Sequence, residues 1–372
     1  MKLRLLAVAA AFALVAPAHA AAPSVAARAY LVESGSSGEI LAGYHIHRRL
    51  PIASLTKLMT VLIALERAKP NQVVTVDPGA AAVGESTVHL RPGERLTVRD
   101  LVAAALIQSA NDAADALAAS VGRGSIDHFV ELMNRRARRL GLRDTHFVRP
   151  DGLDAAGHVS SADDVTMLAR VAMRRPLVRA LVRRRTAAIA GGRSLHTWND
   201  LLGSFPKLIG VKTGHTSAAG WSEVGAARGP GVTIYATVIG SPSRSQRNQD
   251  LAALLNWGLA QYRAAALVRV GRVYARAKTQ YGRDAVRLVA SRRLRRVVRV
   301  GRPLVERIVA PAVVRLPVAR GQQLGEIRLY EGRRLIGRRS LVAQESISRP
   351  GLAGRVGWYA GRTAHHLWSF FT

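Results

Sequence analysis

Six lysines stand among the 55 basic residues of this 372-residue chain: Lys2, Lys57, Lys69, Lys207, Lys212 and Lys278. Arginine stays protonated throughout the working range of proteins, whereas a buried lysine beside other cations can lose its proton near neutrality. A chain that writes arginine almost everywhere but lysine at 57 points to work that arginine cannot do. Ser54 precedes it by three residues in "PIASLTKLMT". Residues so spaced share one face of a helix, which brings Lys57 Nζ within reach of Ser54 Oγ. The pair suits a nucleophile activated by an adjacent general base. Alone the spacing is weak, because most lysines simply face solvent.

Two further triplets extend the pattern. Ser109-Ala110-Asn111 interrupts an apolar helical run, where side chains can project into a cleft. Lys212-Thr213-Gly214 falls on a strand-like segment, and its glycine allows a ligand to approach the backbone. Either triplet alone is ordinarily a turn or a strand end. Taken in order, Ser-x-x-Lys, Ser-x-Asn and Lys-Thr-Gly form the signature of penicillin-recognising serine enzymes. His215 offers a rival base for Ser54, but Lys57 is better placed by sequence. His45 and His47 form an isolated His-x-His without further ligands at metal spacing, so neither a metal site nor a cofactor is expected. Cysteine is absent, which excludes disulfides and thiolate chemistry.

These residues need elements to position them. Residues 24–44 read as a hairpin broken by Gly and Ser. A helix is predicted from Ser54 to Ala68, with Leu55, Leu58, Met59, Leu62 and Leu65 at helical spacing and Pro70 beyond its end. "TVRDLVAAALIQSAN" and "DAADALAASVG" predict two helices that flank the 109–111 break. "HFVELMNRRARRLG" is amphipathic, and "SADDVTMLARVAMRR" opens with a helix-start signal at Ser161. From Lys207 the period changes to that of strands: "KLIGVKTGHT", "GWSEVGAAR" and "GVTIYATVIG", followed by the helix "NQDLAALLNWGLAQYR". Strands first, helices in the middle, then strands and a helix predict an α+β domain with a mainly antiparallel sheet.

After about residue 262 arginine alternates with valine, leucine and isoleucine in short runs, which predicts a small all-β domain over 263–350 with an arginine-rich polar face. Residues 351–372 place Val356, Tyr359, Thr363, Leu367 and Phe370 on one helical face, and Arg355, Arg362, His366 and Ser369 on the other. Trp358 and Trp368 fall at the boundary. Such a helix suits lying on the cytoplasmic membrane surface; the alternative is docking on the protein itself. At the other end, "MKLRLLAVAAAFALVAPAHA" has the charged start, apolar run and Ala18-His19-Ala20 ending of a secretory signal peptide. The peptidase part would then span 21–262, outside the cytoplasm. A formal charge of +31 first suggests nucleic acid, but an exported chain seldom meets it, so none is expected as partner.

The motifs are specific enough for a family. "PIASLTKLMT", "LIQSANDAADALA" and "GVKTGHTSAAGWS" resemble the three motifs of low-molecular-weight penicillin-binding proteins that are D-alanyl-D-alanine carboxypeptidases. "MNRRARRLGLRDTHFVRPDGLDAAGHVSSADDV" is similar to their linking segment, except that Arg149 stands where the family usually has asparagine. The resemblance implies a β-lactamase/transpeptidase-like fold. It implies acyl transfer in which Ser54 attacks the D-Ala–D-Ala carbonyl and Lys57 takes its proton. Ser109 would relay a proton to the leaving amine, and Asn111 would hold the substrate amide and orient Lys57. Lys212 and Thr213 would bind the terminal carboxylate, with Gly214 allowing close approach and Lys212 also keeping Lys57 neutral. Backbone N–H groups of Ser54 and His215 would form the oxyanion hole. Arg247, rather than Arg244, would add a carboxylate contact. Peptidoglycan stem peptides would be substrates and β-lactams covalent inhibitors, with the enzyme at the periplasmic face of the membrane. The rival activities are a D,D-endopeptidase of the same family and a serine β-lactamase. No convincing glutamate for fast deacylation is seen in the linking segment.

Overall fold

The computed structural model describes residues 5–12 and 21–368, with side chains described from 21 to 360. Two units emerge, Ala20–Gln261 and Tyr262–Thr372, the latter together with the N-terminal strand.

The first unit is built on a five-stranded antiparallel sheet in the order Ile40–Tyr44, Ala29–Ser34, Val232–Ser241, Gly220–Gly229, Leu208–Thr216. Its central strand is apolar almost throughout because both faces are covered. Ile234 meets the Arg244–Ala260 helix at Gly258, while Thr237, on the opposite face, shares a 2.6 Å hydrogen bond with Thr166 of the Ala162–Ala172 helix. Beyond the latter face lies a helical layer whose centre is the Lys57–Arg67 helix, buried from Lys57 to Ala64 without interruption. Such a helix is apolar all round because it is surrounded.

The expected helix over the second motif divides. Val98–Ala103 is α-helical and capped by Thr97, Ala104–Gln108 widens into a π-turn, and Ser109 leaves with a left-handed φ of 65° before Asn111–Val121 begins. Likewise Ser54 lies in a 3-10 turn, Ala53–Thr56, and the α-helix proper begins at Lys57. The Pro176–Leu181 helix and the small ladders Val73–Thr75 with Arg95–Thr97 and Thr186–Ile189 with Arg193–His196 had no clear sequence signal. They are too short for periodicity to register.

The second unit holds a seven-stranded sheet: Leu5–Phe12, Leu304–Pro311, Gln323–Glu331, Arg334–Ala343, Val286–Ala290, Val273–Thr279, Val313–Val314. A separate ladder pairs Tyr262–Val268 with Leu294–Arg299. Alternation of buried aliphatics with arginine produces one core, formed around Leu288, Leu294, Ile327, Leu329 and Leu341. Leu5–Phe12, read as the apolar run of a leader, pairs antiparallel with 304–311.

The terminal helix spans Leu352–Trp368. Trp358 does not sit free at a boundary: it packs edge-to-face on Tyr281, centroids 5.5 Å apart. Leu352, Val356 and Tyr359 remain 74%, 66% and 58% exposed. The later positions of the expected faces, Arg362 through Phe370, lie outside the described side chains. No helix among the described residues is long and apolar enough to cross a membrane.

Candidate active site

The three motifs meet in one cleft of about 280 Å³, floored by Ser54, Ser109, Asn111 and Thr213 and walled by Trp198 and Trp221. The nucleophile turn is held between two backbones. A Cβ on Gly214 would stand 3.0 Å from Ile52 O and 3.1 Å from Ser54 N. On the other side a Cβ on Gly152 would stand 2.1 Å from Ala53 O, and Gly152 has φ of +86°. Only glycine meets both demands at 152. Ala53 and Ser109 themselves carry positive φ of 48° and 65°. Strained backbone of this kind persists where surrounding structure over-determines it, and here it lies at the two serines.

Lys57 is fully buried, and its Nζ has three partners: Ser54 Oγ at 2.8 Å, Asn111 Oδ1 at 2.6 Å and the Asp151 carbonyl at 2.6 Å. The last two can only accept. A neutral amine keeps two N–H donors for them, which leaves its lone pair facing the serine hydroxyl. Burial pushes the Lys57 pKa down to about 8; the carboxylates of Asp151 and Asp115 resist and Arg149 adds to the fall. The geometry and the lowered pKa both suit a base that takes the Ser54 proton.

Lys212, also buried, donates to Ser109 Oγ at 2.9 Å and to the Thr213 carbonyl at 2.8 Å. Burial, and then the charge of Lys57, drive its pKa well below the usual lysine value. An incoming carboxylate would restore its charge. The Asn111 amide nitrogen is engaged by Gly84 O at 2.9 Å, so in this state the side chain orients Lys57 and anchors the 84–88 segment. Asp112 reinforces that anchor by accepting from Val88 N and Leu90 N. His215 stacks on Trp221, ring centroids 3.9 Å apart.

Arg244 and Arg247 both border the cleft, but differently. Arg247 is buried, its Nε 3.1 Å from Glu223 and its guanidinium bonded to Asn248. Arg244 is more exposed, clamped by Asp200 at 2.8 and 2.5 Å and placed over the Trp198 ring. Glu223 is buried beneath them, and burial raises its pKa to about 7 against the pull of Arg247. Sequence reasoning missed Glu223, Trp198 and Trp221. The signal for Glu223 was available, since a carboxylate in "GWSEVGAAR" falls in the buried middle of an interior strand. Among the described residues no cluster of His, Cys, Asp or Glu could hold a metal ion.

The comparisons with known proteins agree. The profile described as D-alanyl-D-alanine carboxypeptidase matches residues 16–243. The chain is 31% identical to D-alanyl-D-alanine carboxypeptidase DacD of Salmonella typhimurium, across 91% of this chain and 90% of that one. It is 28% identical to DacF of Bacillus subtilis, across 87% and 86%. Among solved structures, penicillin binding protein 6B of Escherichia coli superposes with a TM-score of 0.64 at 29% identity, covering 88% of this chain and 98% of that one. The Streptomyces K15 DD-transpeptidase does so with 0.62 at 31%, covering 65% and 100%. The chain belongs to the D-alanyl-D-alanine carboxypeptidase family of serine peptidases.

Proposed function

We propose that the chain removes the terminal D-alanine from peptidoglycan stem pentapeptides through an acyl-enzyme on Ser54. The observation that carries this reading is the set of three partners of Lys57 Nζ, which aims its lone pair at Ser54 Oγ. Ser54 Oγ attacks the D-Ala–D-Ala carbonyl while Lys57 takes its proton. The N–H groups of Ser54 and His215 stabilise the oxyanion, each at about 3 kcal/mol. Ser109, bonded to Lys212, passes a proton to the departing amine, D-alanine leaves, and water releases the shortened peptide. Lys212 and Thr213 hold the terminal carboxylate. Arg247, fixed by Glu223, sets the positive potential behind them, and Arg244 stands closer to solvent. A β-lactam presents a comparable carbonyl and carboxylate and acylates the same serine.

The leader, the export it implies and the contact of the terminal helix with the cytoplasmic membrane surface belong to the same proposal. The exposed Leu352, Val356 and Tyr359 support the last of these, since they recur at helical spacing on one face.

The test is D-alanine release from a pentapeptide ending in D-Ala–D-Ala, with Ser54→Ala and Lys57→Arg beside the native chain. Release by the native form and silence from both folded variants is expected. An active Lys57→Arg would overturn the base assignment.

A further inference from the structure

The structure places Arg149 of the linking segment behind the base, with Asp151 between them. Its Nε and terminal nitrogen clamp both oxygens of Asp151, at 2.5 and 2.6 Å. Asp151 is fully buried, and its backbone carbonyl is one of the two obligate acceptors of Lys57 Nζ. Asp151 Oδ1 also accepts from Leu153 N at 3.0 Å, and Thr60 donates to Pro150 O at 2.5 Å, so the loop is fastened on each side of that carbonyl. Nearby stands Asp115, buried, with its Oδ1 lacking a hydrogen-bond partner among the described atoms.

We propose that Arg149 is a positioning residue that acts on Lys57 through Asp151: clamped to the side chain of the residue whose carbonyl receives the amine, its charge offsets the buried carboxylates facing that amine. The inference rests on the reading of Lys57 as base. The charged groups around Lys57 are Asp112 and Asp115 on the Asn111–Val121 helix, Asp151 and Arg149 on the loop, and Lys212 on the Leu208–Thr216 strand. His158, whose ring is bonded to Thr56 and Val148, faces the same pair from behind. Of these the acids hold the proton on Lys57, and Arg149 works against them. Arg149 is also the only member of the ion pair that reaches solvent, its side chain 33% exposed against 0% for Asp151. Without it, Asp151 would be a buried carboxylate with one backbone donor and no counter-charge, a costly arrangement that relaxes by pulling a proton or a cation toward itself. Lys57 is the nearest cation available.

A purely structural role would lower activity at every pH, whereas an electrostatic role moves the two halves of the ion pair in opposite directions. The experiment is therefore the pH profile of kcat/KM for D-alanine release, which reports groups of the free enzyme, for the native chain, Arg149→Asn, Asp151→Asn, the double variant and Arg149→Lys. In Arg149→Asn the rising limb should move to higher pH, lowering kcat/KM about three- to tenfold near neutrality and converging on the native value only above both midpoints, as a shift of about half to one unit requires. Asp151→Asn should move the limb to lower pH. The double variant should return toward the native midpoint, and Arg149→Lys should keep the native midpoint because it keeps the charge. Same-sign shifts in the two single variants, or a pH-independent loss in Arg149→Asn, would overturn the inference and leave the base assignment standing. A native profile without a rising limb overturns the base assignment, and this inference with it.

Discussion

The two units of this protein handle charge in opposite ways. In Ala20–Gln261, charges are carried inward and the principal ones are held by partners: Lys57 by three acceptors, Arg247 by Glu223 and Asn248, Asp151 by Arg149. In the second unit Arg287 and Arg328 pair with Glu345 and Glu326, but Arg292, Arg293, Arg295 and Arg296, on and before the Leu294–Arg299 strand, and Arg333, Arg334, Arg338 and Arg339, on and before the Arg334–Ala343 strand, have no carboxylate partner among the described residues. Their hydrogen bonds run to backbone, as from Arg296 to Ile336 O and from Arg339 to Arg293 O. A buried charge is specified by position and by chemical type, so lysine and arginine are not interchangeable there. An exposed one counts mainly through net charge and salt.

The comparison can be broken from its strongest side. Lys57→Arg should lower kcat/KM for D-alanine release by about a thousandfold or more, because arginine cannot surrender its proton. A variant within tenfold of native would show that lysine at 57 is no more particular than an arginine on the second sheet. Next comes Glu223→Ala, which removes the fully buried carboxylate beside Arg247 and leaves it Asn248 and the more exposed Asp200. Removing one partner of a buried pair costs about 3–5 kcal/mol, and thermal unfolding should report a drop of about 10 °C. A fall comparable to that of a surface substitution would remove Glu223 from the paired set.

His158 sharpens the contrast through pH. Its Nδ1 accepts from Val148 N, so the ring proton sits on Nε2 and is directed at Thr56 Oγ1. Burial lowers its pKa to about 4, whereas the unfolded chain takes the proton near 6.5. Between those values the unfolded state binds more protons, so stability is present above about 6.5 and is lost as pH falls toward 4. The loss amounts to something on the order of 3 kcal/mol. His158→Gln should flatten that part of the unfolding-temperature profile, and an unchanged acid slope would contradict the assignment. At the smallest scale, Arg292, Arg293, Arg295 and Arg296 changed together to Gln should alter stability by no more than about 0.5 kcal/mol per substitution. Hydrolysis of a small peptide should be unchanged, while elution from a cation exchanger should come earlier. A large loss of stability would mean those arginines are structural after all.

The same division explains what was legible in the sequence. The three motifs could be read because their chemistry demands particular side chains in a fixed order, and the long helices and central strands because burial repeats at helical or strand period. Ser109 could be recognised as a break, but not as the end of a π-turn, since the backbone there is set by Ala104–Gln108 packing against neighbours far along the chain. The Leu304–Pro311 strand, "LVERIVAP", escaped notice because Glu306 interrupts the arginine alternation that marks its neighbours. Arg149 looked peripheral in the sequence because nothing local connects residue 149 to residue 57. Only the loop that doubles back beneath the nucleophile turn makes them neighbours.

That turn is pinned between Gly152 and Gly214, with no room for one carbon atom on the first side and little on the second. Its conformational freedom is therefore surrendered when the chain folds, not when a ligand arrives. The serine meets every acyl donor in the same pose, and whatever adjustment the encounter requires must come from the donor. An elastic peptide can adapt to a fixed nucleophile and leave again, whereas a fused bicyclic ring opened on the same serine has fewer internal rotations with which to do so.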